Sequence, residues 1–88
     1  MPTLRDPANE VEKILHSLAT QRLLCRRSTE VAELTGISHH RVLALAIEFE
    51  GRGWIHWRED ILDAAFLTLL PLGYKELEDR GVVAPPEW

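Results

Sequence analysis

A single cysteine, Cys25, is all the thiol chemistry available in 88 residues. One cysteine excludes an intramolecular disulfide and suits a reducing compartment. No apolar run approaches the roughly 18 residues of a membrane-spanning helix. The opening stretch, MPTLRDPANE, lacks the apolar core of a signal peptide. These absences predict a cytoplasmic protein with no membrane partner. The sequence also lacks a Gly-rich phosphate loop, a Ser-His-Asp or Cys-His arrangement within a supporting motif, and a pair of carboxylates in an evident cleft. It therefore predicts no enzyme and requires no cofactor. Metal ligation is poorly served too: His39 and His40 are helix neighbours that diverge by about 100°, and no Cys or His follows either at four residues. His16, His56 and Cys25 could join a metal site only through tertiary contacts.

What is present is ordinary for a globular chain: 45% hydrophobic and 27% charged residues, with no repeat and no low-complexity tract. The length predicts one small domain over residues 1–88 with a single core. The charge balance is acidic, ten Lys and Arg against fourteen Asp and Glu, for a formal net charge of -4. A nucleic-acid binder of that balance needs a local basic patch, since phosphate contacts come from basic surfaces. One stretch qualifies. Arg22, Arg26, Arg27 and Arg41 gather around two predicted helices, with only Glu30 and Glu33 opposing them locally.

Hydrophobic spacing supplies the elements. Val11, Ile14, Leu15 and Leu18 form one helical stripe. Asp6 with Pro7, or Asn9 with Glu12, starts that helix, which ends near Thr20 or Gln21. Leu23 to Cys25 form a short strand or extended link. Ser28 or Thr29 caps a second helix that turns Val31, Ala32 and Leu34 to the core. Gly36 is the turn residue, and Ser38 caps a third helix. On that helix Val42, Leu45, Ala46 and Phe49 share the inner face, with His40, Ala44, Ile47 and Glu48 opposite. Gly51 and Gly53 stop it. Trp54 to Trp57 and Phe66 to Leu70 read as two strands joined by a hairpin loop. Pro71 opens a last helix through Tyr74, Leu77 and Asp79, ended by Gly81. The tail, about 82–88, reads as extended. Trp54 is expected to close the core beneath the hairpin and Trp88 to dock on a second subunit.

Two helices at a tight Gly turn, followed by a hairpin, form the order of a winged helix-turn-helix. From Ser28 to Gly81 the chain resembles transcription regulators of that class, closest in layout to the MarR and PadR types. EVAELTGISHHRV resembles the second helix, turn and recognition helix, and EFEGRGWI the exit into the first wing strand. FLTLLPLGYKELEDRG is similar to the second wing strand, the Leu-Thr-x-x-Gly pattern that follows it, and the last helix. The layout match covers about sixty percent of the chain. The resemblance implies an α+β fold, mostly α: a three-helix core, a two-stranded wing and a C-terminal helix. It implies double-stranded DNA and a homodimer as partners. His39, His40, Arg41, Leu43, Ala44, Ile47 and Glu48 fall on the recognition positions. Ser38, His39, His40, Arg41 and Ala44 would then face the groove. Arg26, Arg27, Thr29 and Arg58 would hold DNA from the neighbouring elements, with Arg26, Arg27 and Arg58 on phosphates. The chain departs from the pattern where Leu70 stands in place of a capping Ser or Thr, and where the wing, REDILDAA, carries three acids against one Arg.

An alternative reading uses the same fold as a protein-binding module that does not touch DNA. Its surface would be Leu43 and Ile47 on the third helix with Ile61 and Leu62 in the wing, since clustered exposed apolar residues mark partner surfaces. A third reading makes Cys25 a redox sensor, because Arg22, Arg26 and Arg27 lie near it in sequence and cations favour a thiolate.

Overall fold

Asn9 starts the first helix, α1 (Glu10–Ala19), by accepting a hydrogen bond from the Glu12 backbone N–H at 2.9 Å. Glu12 reaches back to accept from the Ala8 N–H at 3.1 Å, one residue ahead of the N-cap amide that a capping box uses. A computed structural model of the chain describes residues 3–60 and 64–85. Within them α1 is followed by β1 (Cys25–Arg27), α2 (Ser28–Thr35), α3 (His39–Gly51), β2 (Ile55–Glu59), β3 (Ala65–Leu69) and α4 (Pro71–Asp79). Ile61 and Leu62 of the wing, and Trp88 of the tail, lie outside the described residues.

The stripe on α1 delivers Ile14, Leu15 and Leu18 to the core, where they meet Val31 of α2, Val42, Leu45, Ala46 and Phe49 of α3, Leu67 and Leu69 of β3, and Leu77 of α4. The α2–α3 turn follows from Gly36, which sits at φ 74, a left-handed conformation that glycine adopts without steric penalty. Ser38 then caps α3 by accepting from the Arg41 N–H at 3.3 Å. Leu70, as its side chain requires, gives α4 no capping bond, and Pro71 opens that helix from a backbone already preset for it.

The sheet has three antiparallel strands in the order β1-β3-β2, one more than the two-stranded wing expected. Pairing begins later than predicted, at Cys25 rather than Leu23, because Leu24 occupies a turn with φ 58. Strand alternation sorts the sheet into two faces. Ala65, Leu67 and Leu69 of β3 are buried against the helices. On the other face two cross-strand rows stand side by side, Cys25–Thr68–His56 and Arg27–Phe66–Arg58. The edge strand β2 is covered at one point, where the Glu50 carboxylate accepts from the Trp57 backbone N–H at 3.0 Å.

Three expectations need correction. Neither Ser28 nor Thr29 caps α2; the N-cap is Arg27, without a side-chain bond, and Ser28 is fully buried. Leu34 is not a core residue but is 58% exposed, lining with Thr35 an open groove opposite Lys13 and His16 of α1 instead of entering the core. Gly51 does not stop α3 but is its last helical residue, and the reversal occurs at Gly53, φ 76.

One buried carboxylate binds the segment before α1 and the end of α4 to α1. Glu12, 3% exposed, holds Arg5 through two bonds of 2.6 and 2.7 Å and Arg80 at 3.2 Å. The Arg5 guanidinium, the Ala8 N–H and Arg80 lower the Glu12 pKa to about 2 against the cost of its burial. Arg5 also donates its backbone N–H to Gly81 at 3.0 Å.

Candidate nucleic-acid interface

The outward face of α3 is centred on Ala44. At about 100° per residue, His40 and Glu48 flank it at about 40° and Arg41 and Ile47 at about 60°. All five are exposed, as is Ser38 at the helix start. Leu43 is not part of this face: it is partly buried and packs against the core. Ile47 is then the large apolar side chain left in solvent there, 65% exposed.

His39 is drawn inward. Its Nε2 lies 2.9 Å from Ser28 Oγ, and the same oxygen accepts the Ala65 backbone N–H at 3.0 Å. The start of α3 is thus fastened to α2 and to β3 by one hydroxyl. The hydroxyl can take part in both contacts at once, because it carries one proton and two acceptor sites.

The predicted basic cluster does not assemble as one patch. Arg26 points between α1 and α2, with its side chain 17% exposed, donating to the Ser17 carbonyl at 2.6 Å and to Glu30 at 2.9 Å. Arg41 is 53% exposed and pairs at 3.2 Å with Glu10, from the first turn of α1. Arg27, on the outer face of the sheet, pairs at 3.1 Å with Asp60. The opposing acids are therefore Glu10, Glu30 and Asp60 rather than Glu30 and Glu33. Of the guanidiniums near Cys25 in sequence, Arg26 leaves on the opposite face of the strand, and Arg26 and Arg27 both carry carboxylate partners.

What the fold does bring together is Arg27 and Arg58. They flank Phe66 in one cross-strand row, each guanidinium carbon 5.2 Å from the ring centroid. A ring face attracts a cation and holds a planar guanidinium in place. The row thereby presents two oriented multi-donor groups, both exposed among the described residues, an arrangement suited to oxyanions. Two other members were not singled out from the sequence. Arg52, beyond the end of α3, lies 5.1 Å over Trp54, whose other neighbour is Phe49 with centroids 5.6 Å apart. Phe66 itself carried the signal of a strand residue only. Trp54 packs against the core as expected. Thr29 is exposed in the first turn of α2. Among the described residues no group of three His, Cys, Asp or Glu could hold a metal ion, and no helix is long and apolar enough to cross a membrane.

The arrangement is that of a winged helix-turn-helix, with α2 and α3 as the two helices and β2–β3 as the wing. A solved structure shares it: a MarR family transcriptional regulator from Streptomyces coelicolor, crystallised in complex with DNA. It superposes with a TM-score of 0.69 at 26% sequence identity, over 77% of this chain and 44% of the regulator. The chain thus spans less than half the length of that transcriptional regulator. No family model and no curated protein matches the chain.

Proposed function

We propose that this chain binds double-stranded DNA in a sequence-specific manner and regulates transcription as a small cytoplasmic homodimer. The observation that carries the reading is the exposed face of α3, where Ser38, His40, Arg41 and Ala44 stand on the helix that follows the turn, in a fold similar to that of a DNA-bound regulator. In this reading Ser38, His40, Arg41 and Ala44 face the major groove. Arg27, Arg58 and Thr29 meet phosphates, which position a protein on the duplex without specifying sequence. His39 and Arg26 act indirectly, the first by fixing the start of α3 and the second by joining α1 to α2. A second copy supplies a paired half-site and the affinity that one small domain lacks. Uncovered apolar surface away from α3 favours it: Leu23 is 79% exposed, near a groove lined by Leu24, Leu69, Leu70, Pro71 and Tyr74 between the end of α1 and α4.

The test is fluorescence anisotropy of the chain against random-sequence duplex DNA over a range of salt. The expected result is binding that weakens steeply with salt, with Arg58→Ala lowering the logarithmic slope by about 1 and Arg41→Ala, at the groove, costing about 1–3 kcal/mol on the preferred sequence. One observation favours a second reading, an interaction module that does not touch DNA: the exposure of Ile47. Absence of binding at low salt, together with loss of a protein partner on Ile47→Glu, would establish that reading instead.

A further inference from the structure

We propose that Ala44 and Ile47 are specificity residues that read the C5 methyl groups of thymine. The proposal rests on the DNA-binding reading above and names the base that the site selects. Its starting point is the removal of Leu43 from the outward face of α3: with that side chain packed on the core, the apolar surface left there is Ala44 at the centre and Ile47 one turn further on. A leucine at the centre would hold the helix away from a groove floor. Ala44, ending in one methyl group, lets the backbone come close, and the branched Ile47 then reaches about one base step along.

On the floor of the major groove the other base edges present hydrogen-bond donors and acceptors, and the thymine methyl is the apolar group. An isoleucine and an alanine have nothing to offer a donor or an acceptor, and against G·C pairs they would strip water from polar edges without replacing its hydrogen bonds. Against thymine they bury a methyl. Glu48, on the same face, works in the same direction, because a carboxylate is repelled by phosphate and keeps α3 from settling on the backbone unspecifically. His40 and Arg41 at the start of the face supply the polar contacts.

The experiment uses the whole chain and duplexes enriched from a random-sequence library by repeated capture. The best duplex is synthesised again with deoxyuridine in place of thymidine, which removes each methyl and leaves every hydrogen-bonding edge unchanged. The expected result is enrichment of thymine within the bound site and a loss of affinity of about fourfold for each contacted methyl. Ile47→Ala should bind both duplexes with a smaller difference between them. Leu72→Ala, an exposed apolar residue of α4, should keep the full difference. Equal affinity of the unaltered chain for the thymidine and deoxyuridine duplexes would overturn the proposal while leaving DNA binding intact. Failure to enrich any duplex would overturn the DNA-binding reading and this one with it.

Discussion

Glu12 and Ser28 show how much one side chain can organise in a small domain. Glu12 is a buried acid that satisfies two arginines and a backbone amide. Its folded-state pKa of about 2 lies below the ordinary 4.5, so ionised Glu12 stabilises the fold fully above about pH 4.5, and that contribution is lost as pH falls toward 2. Replacing it with Gln should cost roughly 2 kcal/mol at pH 7, the scale of hydrogen bonds to a charged group. The gap between Glu12→Gln and the unaltered chain should close on acidification, and urea titrations at pH 7 and pH 3 measure both. Ser28 acts without charge. Ser28→Ala leaves the buried Ala65 N–H without its acceptor and releases His39, a loss of about 1–3 kcal/mol. It should appear as a lower urea midpoint at unchanged slope.

At the level of elements, the glycines divide by environment. A Cβ on Gly73 would run into the Trp54 carbonyl oxygen and lie 2.7 Å from Leu69 Cδ1, so α4 approaches the start of the wing closely only because that position is bare. Gly73→Ala should destabilise by about 1–3 kcal/mol. Gly51→Ala meets nothing within 4 Å on a helical backbone and should stabilise by about 0.5–1 kcal/mol; thermal melting of the two variants tests the opposed signs. These elements were largely legible beforehand because their signals are local: the Ser38 cap, the Gly36 turn and Pro71 at the start of α4 each act within one helical turn. The inward turn of Ser28 was not legible. A serine before a helix is a natural cap, and its hydroxyl is claimed instead by an amide 37 residues further on. The candidate site was legible to the same extent. The α3 face followed from helical spacing, whereas the inward pull on His39 and the Glu10 and Asp60 partners of Arg41 and Arg27 depend on contacts between distant segments.

For the molecule as a whole, the acidic balance acquires a structural meaning. Two of the proposed DNA-contacting arginines already carry carboxylates, Arg41 with Glu10 and Arg27 with Asp60. DNA must therefore replace an existing partner at each, a base edge at Arg41 and a phosphate at Arg27, which lowers the gain from any unspecific duplex. Glu10→Gln should raise affinity for random-sequence DNA at low salt by about twofold to fivefold, the scale of an exposed ion pair. The same anisotropy titration reads that change directly. A small domain with an open three-stranded sheet faces a different hazard, since an unpaired strand edge can recruit another chain and begin aggregation. The Glu50 carboxylate on the Trp57 amide occupies one of the donors that an incoming strand would use, and does so with a negative charge. Sheet-to-sheet polymerisation is thereby opposed at the wing's outer strand.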